Sequence, residues 1–159
     1  MTDILAIDPG LINGVAYGTY SDTEPFVLKD FFAVDFDGLD EIIWNGMHPW
    51  YDKLIIERFI PQSGAEYTLA EDDLAAVETI GMLKHGLVHD SSEVYWQTRS
   101  DKWDVPDRIL KDNGFWKTGS DVGWTDGRDV NDAIIHILHY LKSINHLPTL
   151  RAYFRKVEA

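Results

Sequence analysis

The stretch ILAIDPGLINGVAYG, residues Ile4 to Gly18, decides the fold. Four residues of the buried type, Ile4 to Ile7, end in Asp8; Pro9-Gly10 turns the chain; Gly14-Val15-Ala16-Tyr17-Gly18 starts a second apolar run. Two apolar runs joined by a turn read as a β-hairpin with a carboxylate at the end of its first strand. A carboxylate there is costly unless something cationic meets it, an Arg, a Lys or a metal ion. Asp8 before Pro-Gly also suits a plain turn opening. Its weight therefore depends on what the rest of the chain brings beside it.

Outward from the hairpin, read over 3–8 and 13–20, Phe26 to Val34 reads as a third strand. Asp37 to Trp44, with Leu39, Ile42 and Ile43 behind an acidic first turn, reads as a helix. Lys53-Leu54-Ile55-Ile56-Glu57 is a continuous apolar run ending in an acid, the pattern of a central strand buried on both faces. Pro61-Gln62-Ser63-Gly64 breaks the chain, and a long helix is predicted from Thr68 to Leu87. Its stripe is Leu69, Asp73, Ala76, Val77, Ile80, Leu83, Lys84 and Leu87. Glu93 to Gln97 reads as a fifth strand. Residues 98–126 hold a short helix near Asp107 to Asp112 and a glycine-rich loop from Gly119. A last helix is predicted from Gly127 to Lys142, with Val130, Ala133, Ile134, Ile137, Leu138 and Leu141 on its apolar face. The tail carries Arg151, Arg155 and Lys156. No repeat or linker divides the 159 residues, so 1–159 reads as one α/β domain.

The chemistry lies in the acids. Asp8 and Glu57 both end apolar strands, and neighbouring strand ends can bring such groups within a few ångströms. Two carboxylates that close raise each other's pKa or need a cation. Hard Mg2+ prefers oxygen ligands. Asp129 and Asp132, at i and i+3, open the last helix on one surface. Together the four can hold two metal ions that bracket a phosphate. Glu57→Gln is then expected to stop metal-dependent chemistry and, by relieving repulsion, to stabilise the metal-free fold.

Structural roles compete at each position. Arg58 follows Glu57, although alternation on a strand points the two apart. Asp126-Gly127-Arg128-Asp129 resembles a cap, and an acid in the first turn suits the helix dipole. Asp132 lies away from the centre of the apolar stripe. His136 and His139 continue the polar side of that helix, where a solvated or hydrogen-bonded role is favoured over ligation. Trp96, Trp103, Trp116 and Trp124 are favoured as core or loop anchors over base-stacking residues.

These motifs resemble the RuvC-type Holliday junction resolvases, a branch of the ribonuclease H-like fold. The resemblance rests on Ile7-Asp8-Pro9-Gly10, Ile55-Ile56-Glu57 and Asp129-Val130-Asn131-Asp132-Ala133, in the family's order and at roughly its spacing, across residues 3 to 142. It extends to small phage-encoded members. It implies a ribonuclease H-like α/β domain with a mixed five-stranded sheet and helices on both faces. It implies hydrolysis of branched DNA by a homodimer, with Asp8, Glu57, Asp129 and Asp132 as catalytic ligands of two Mg2+ ions, for which Mn2+ can substitute. Basic residues after the fifth strand match Arg99 and Lys102. An aromatic residue after the Glu strand matches Phe59 or Tyr67. The family's helix corresponding to 68–87 forms the dimer contact, with Ile80-Gly81-Met82-Leu83 offering an apolar centre and Glu71, Asp72 and Asp73 opposing a close two-fold.

The charge departs from that family, whose members are usually basic. The net is −13, which by itself argues against a nucleic-acid partner. It is uneven: residues 1–98 carry −14 and residues 99–159 carry +1. Any DNA contacts are therefore expected from Arg99, Lys102, Arg128, Arg151, Arg155 and Lys156. There is no cysteine and no apolar run near the about 18 residues of a membrane span. With no signal-peptide pattern, a soluble cytoplasmic protein is expected, in a host cytoplasm if phage-encoded. Two other classes stay open. One is a nucleic-acid-binding or regulatory protein on an inactive nuclease fold, favoured by the charge. The other is an actin-like ATP phosphotransferase, disfavoured by the lack of a second glycine-rich phosphate hairpin.

Overall fold

A computed structural model describes residues 1–58, 71–88, 93–124 and 126–155, with backbone alone at 71 and 72. Phe59, Tyr67, the break at 61–64, the predicted helix start with Leu69, and Lys156 lie outside the described residues, as do the side chains of Glu71 and Asp72. The hairpin forms as expected: β1 (Thr2–Asp8) pairs antiparallel with β2 (Asn13–Tyr20), Asp8 opposite Gly14. Buried Asn13 locks the turn, accepting from the Gly10 N–H at 3.0 Å and donating to the Val34 carbonyl at 3.2 Å. The latter bond ties it to β3 (Val27–Val34). β4 (Lys53–Glu57) and β5 (Glu93–Gln97) add in parallel on the other side of β1, giving the order β3-β2-β1-β4-β5. This is the mixed five-stranded sheet of the ribonuclease H-like fold.

Side-chain alternation divides the core in two. Leu5, Ile7, Val15, Leu54 and Ile56 face α1 (Phe36–Trp44) and α2 (Glu71–Gly86). Ile4, Ala6, Ala16 and Ile55 face the last long helix. α1 starts at Asp35, which accepts from the Gly38 N–H at 2.9 Å. α2 buries Ala76, Thr79 and Leu83, and Leu87 just past its end is buried as well. Val77, expected in its stripe, is 44% exposed together with Leu74 at 47%. The buried line runs through Thr79 instead, which the apolar count passed over.

Residues 98–124 hold more structure than their sequence signals. A 3-10 turn, Arg99–Asp104, follows β5, and α3 (Asp107–Asp112) comes where expected. The predicted glycine-rich loop is instead a short helix, α4 (Gly119–Val122), held by a Thr118–Asp121 capping box. α5 (Arg128–Ser143) follows. A short turn at Leu147–Thr149 and a π-helical turn at Leu150–Phe154 end the described chain. The latter docks by the Tyr153 hydroxyl, which donates to the Phe26 carbonyl at 2.6 Å.

α5 is buried almost all round, from Val130 through Leu138 and at Tyr140 and Leu141. It lies on β1 and β2 and is covered by the 3-10 turn. Its approach to the sheet depends on Gly14: a Cβ there would sit 1.9 Å from the Asp129 carbonyl oxygen. Its start is tied by Asn131, fully buried, which accepts from the Lys117 N–H at 2.8 Å and donates to the Lys117 carbonyl at 2.9 Å. Gly127 allows this, because a Cβ there would be 2.2 Å from that same carbonyl.

Candidate metal centre

The parity of the strands aims the site. Ile7 lies opposite Ile56, and Glu57 opposite Gln97, so Asp8, Glu57 and Gln97 end three adjacent parallel strands. Ile7, Ile56 and Trp96 pack on the α1/α2 side, so each next residue turns to the α5 side. There α5 presents Asp132 and His136, four residues apart and both buried. Atoms of Asp8, Glu57 and His136 lie within 4.8 Å of one another. Asp132 joins them through Lys102. The Lys102 Nζ is 3.0 Å from Glu57 Oε2 and 2.8 Å from Asp132 Oδ2.

Three acids in a dry pocket cannot all ionise freely. Burial, then the neighbouring charge of Glu57, pushes the Asp8 carboxyl well up, and it shares a hydrogen bond with Glu57. Burial presses Glu57 upward too, but the His136 hydrogen bond and the Lys102 charge outweigh it and hold Glu57 low. Of the two, Glu57 is therefore the carboxyl that its surroundings favour as the anion. Burial opposes the Lys102 charge, yet Asp8, Asp132 and Glu57 together raise its pKa.

The Lys102 ammonium thus stands where the cluster needs a cation. Asp132 Oδ1 is 2.5 Å from Arg128 Nη2, but no donor meets it in hydrogen-bonding geometry. Hard oxygen donors brought together in a buried cluster, with an ammonium held between two of them, fit a divalent cation.

Asp129 is partly exposed in the first turn of α5. It is not the cap: Gly127 holds that position, and Asp126 Oδ1 accepts from the Arg128 N–H at 2.9 Å. His136 is hydrogen-bonded, as favoured, but not solvated; it is fully buried, with Nε2 2.8 Å from Glu57 Oε2. His139 bonds Asp104 Oδ1 at 2.7 Å and lies outside the group. Gln97 was missed. The available signal was its place as the last residue of a strand, like Asp8 and Glu57.

The basic residues separate. Lys102 is an internal counter-ion rather than a surface charge. Arg99 is 64% exposed in its side chain at the mouth, 3.6 Å from Glu57 and 3.5 Å from Asp73. Arg128 bridges Asp132 and Asp107. Arg151 and Arg155 do not join the site. Their turn docks at Phe26, beyond the far ends of β2 and β3, roughly 20 Å from Asp8 along the strand.

Of the tryptophans, Trp96 and Trp116 pack against the cores, and Trp124 donates to the Ala33 carbonyl at 2.7 Å. Trp103 departs from the expected anchoring: it is 82% exposed on the turn that carries Lys102.

No family model matches the chain, and no curated protein matches its sequence. Solved structures do. The Thermus thermophilus RuvC in complex with a Holliday junction substrate aligns with a TM-score of 0.62 at 10% identity, over 93% of this chain and 98% of that one. The fowlpox virus resolvase in complex with Holliday junction DNA aligns at 0.56 and 16% identity, over 89% and 98%. At such identities the likeness is one of fold, and it spans nearly the whole of each chain.

Proposed function

We propose that this chain is a metal-dependent, structure-specific endonuclease that hydrolyses phosphodiester bonds in branched DNA, as a single domain of the RuvC type. One observation carries the reading: Asp8, Glu57 and Asp132, from three separate elements, converge in a buried cluster that needs a cation. The fold likeness to two resolvases solved with junction DNA supports the substrate class.

Asp8, Glu57 and Asp132 would hold the metal, with Asp129 at the rim. When bound, Mg2+ or Mn2+ supplies a Lewis acid for the phosphate oxygens and lowers the pKa of a coordinated water. The chain's own residues do the rest. The α5 wall and the two cores keep the carboxylates dry and fixed. Arg99 and Arg128 flank the mouth and would hold the phosphodiester. Lys102, held between Glu57 and Asp132, would offer its ammonium to the same phosphate when a cation is bound by those carboxylates. Trp103, exposed on the turn that carries Lys102, would offer its ring to an unpaired base. No side chain is needed as a covalent nucleophile. The test is a panel of four-way junctions, flaps, forks, R-loops and linear duplex with Mg2+, Mn2+ or EDTA. Metal-dependent cuts confined to branched DNA support the reading; metal-supported binding without cleavage would favour the inactive-fold alternative.

Three results follow from the placement of individual residues. Asp129→Asn is expected to lose cleavage while changing stability by less than about 1 kcal/mol, because Gly127, not Asp129, holds the cap position of α5 and Asp126 accepts from the Arg128 N–H. Unimpaired turnover in that variant would remove Asp129 from the site. Arg99→Gln is expected to weaken binding to all branched DNAs alike and to lower the slope of log affinity against log salt by about one. An unchanged slope would place the phosphate elsewhere.

The third concerns assembly. Paired cuts across a near-two-fold junction need two such centres, hence a homodimer. α2 offers Leu74 and Val77, both exposed, and open space beside Gly81, at i, i+3 and i+7 on one face. Asp73 turns toward Arg99, which removes one repulsive charge from that face. Leu74→Glu with Val77→Glu is expected to give a monomer in sedimentation and unpaired nicks. A wild-type monomer at high micromolar concentration would make the protein a single-site nuclease instead.

A further inference from the structure

The geometry around His136 exceeds what a carboxylate centre requires. Among the described residues the Gln97 side chain makes two hydrogen bonds, both to His136. Its amide nitrogen lies 3.0 Å from the His136 backbone carbonyl, and its amide oxygen 2.5 Å from His136 Nδ1. A carbonyl oxygen can only accept, so the amide NH2 must face it. The amide oxygen is then left to accept from Nδ1, and Nδ1 carries a hydrogen. The clamp thereby fixes the ring orientation and keeps a hydrogen on Nδ1; it turns Nε2 toward the acids, where it donates to Glu57 and where a bound cation would take the place of that hydrogen. Metal-bound imidazoles are commonly held in this way through their second nitrogen.

The distances agree. Around an ion with bonds of about 2.1 Å, adjacent donors lie roughly 3 Å apart and opposite donors roughly 4.2 Å. Nε2 is 2.8 Å from Glu57 Oε2, and a ring nitrogen of His136 lies within 4.8 Å of carboxylate oxygens of both Asp8 and Glu57. His136 and Gln97 are both buried, so no solvent route explains the arrangement.

We propose that His136 Nε2 is itself a metal ligand, making the centre a mixed imidazole–carboxylate site with Asp8 and Glu57, and that Gln97 is its positioning residue. The inference rests on the metal-dependent reading above and adds the donor set. An imidazole donor shifts preference away from Mg2+ toward Mn2+ and Co2+, which accept nitrogen more readily.

The probe is Mn2+ with the full-length chain and no DNA. Loss of the free-ion EPR signal counts bound Mn2+, and pulsed EPR reads the coupling of a directly bound 14N nucleus. Wild type is expected to bind Mn2+ and to show that coupling, which 15N-histidine labelling converts to the 15N pattern. His136→Gln is expected to lose the coupling and at least tenfold of the preference for Mn2+ over Mg2+. Gln97→Ala keeps the imidazole, so it is expected to retain the coupling but to bind Mn2+ about 10- to 100-fold more weakly. Bound Mn2+ in wild type without nitrogen coupling would overturn the proposal and leave His136 as a prop for Glu57. No bound Mn2+ at millimolar concentration would overturn the metal-dependent reading as well. The wild-type spectrum decides even if a variant fails to fold.

Discussion

Asp8→Asn is expected to abolish cleavage and to raise the melting temperature of the metal-free protein, whereas Glu57→Gln abolishes cleavage and lowers it. Both remove a donor from the centre, and each loss in rate is expected to be at least about 10²- to 10³-fold, the scale seen when one preorganised electrostatic group is removed. The stabilities diverge because the two carboxyls carry opposite shifts. Asp8 is pushed up, by burial first and Glu57 second. A raised carboxyl favours the fold fully only below its unfolded pKa, and that contribution is lost as pH rises through the folded value. At neutral pH the unfolded Asp8 is ionised, so folding must either take up a proton there or bury the charge, and Asn removes that cost.

Glu57 is opposed by burial but held down by His136 and Lys102 to about 2. Its contribution is present above its unfolded value of 4.5 and fades as pH falls toward about 2. The Gln variant should therefore melt lower at neutral pH, by an amount that shrinks on acidification. This reverses the expectation from sequence that Glu57→Gln relieves repulsion, because sequence cannot say which of two acids holds the cationic partners. Thermal melts of both variants in EDTA test the signs; equal shifts would contradict the assigned charge distribution.

Gly14→Val is expected to be the most destabilising single change in the sheet. The first side-chain atom would lie 1.9 Å from a backbone carbonyl of α5, and no rotamer of either residue can relieve that contact. Either α5 moves away from β2 or its first turn unwinds, and in both cases Asp129 and Asp132 leave their places. The expected cost is about 3 kcal/mol or more, the upper end for overpacking, which corresponds to roughly 6–12 °C in a protein of this size. A melt within two degrees of wild type would mean that the helix does not sit on this strand.

How much was legible follows from the same particulars. Asp8 and Glu57 could be read because an acid ending an apolar run is an unusual expense, and runs of that kind set their own boundaries. α5 could be read because its apolar period is strong. The role of Lys102 could not. The 3-10 turn that carries it is six residues long and shows no period, and a charge count does not distinguish an internal counter-ion from a phosphate contact. For the same reason Arg151 and Arg155 seemed equal to Arg99, although their turn is fastened to the opposite end of the sheet. His136 seemed polar and outward because the apolar stripe was taken to be the whole buried face. His136 instead meets the ends of β4 and β5, bonded to Glu57 and Gln97, so α5 buries a polar face as well.

The central claim is that the Asp8–Glu57–Asp132 cluster is a metal centre that cuts branched DNA. Single-turnover cleavage of an immobile four-way junction, labelled on each strand in turn, tests it most directly, with wild type and Asp8→Asn in Mg2+, Mn2+ or EDTA beside a linear duplex of matched sequence. The account predicts incision of the junction by wild type with a divalent ion, and none in EDTA, with Asp8→Asn, or on the duplex. Incision that survives EDTA or the Asp8→Asn change, equal incision of the duplex, or no incision of the junction with either ion would contradict it.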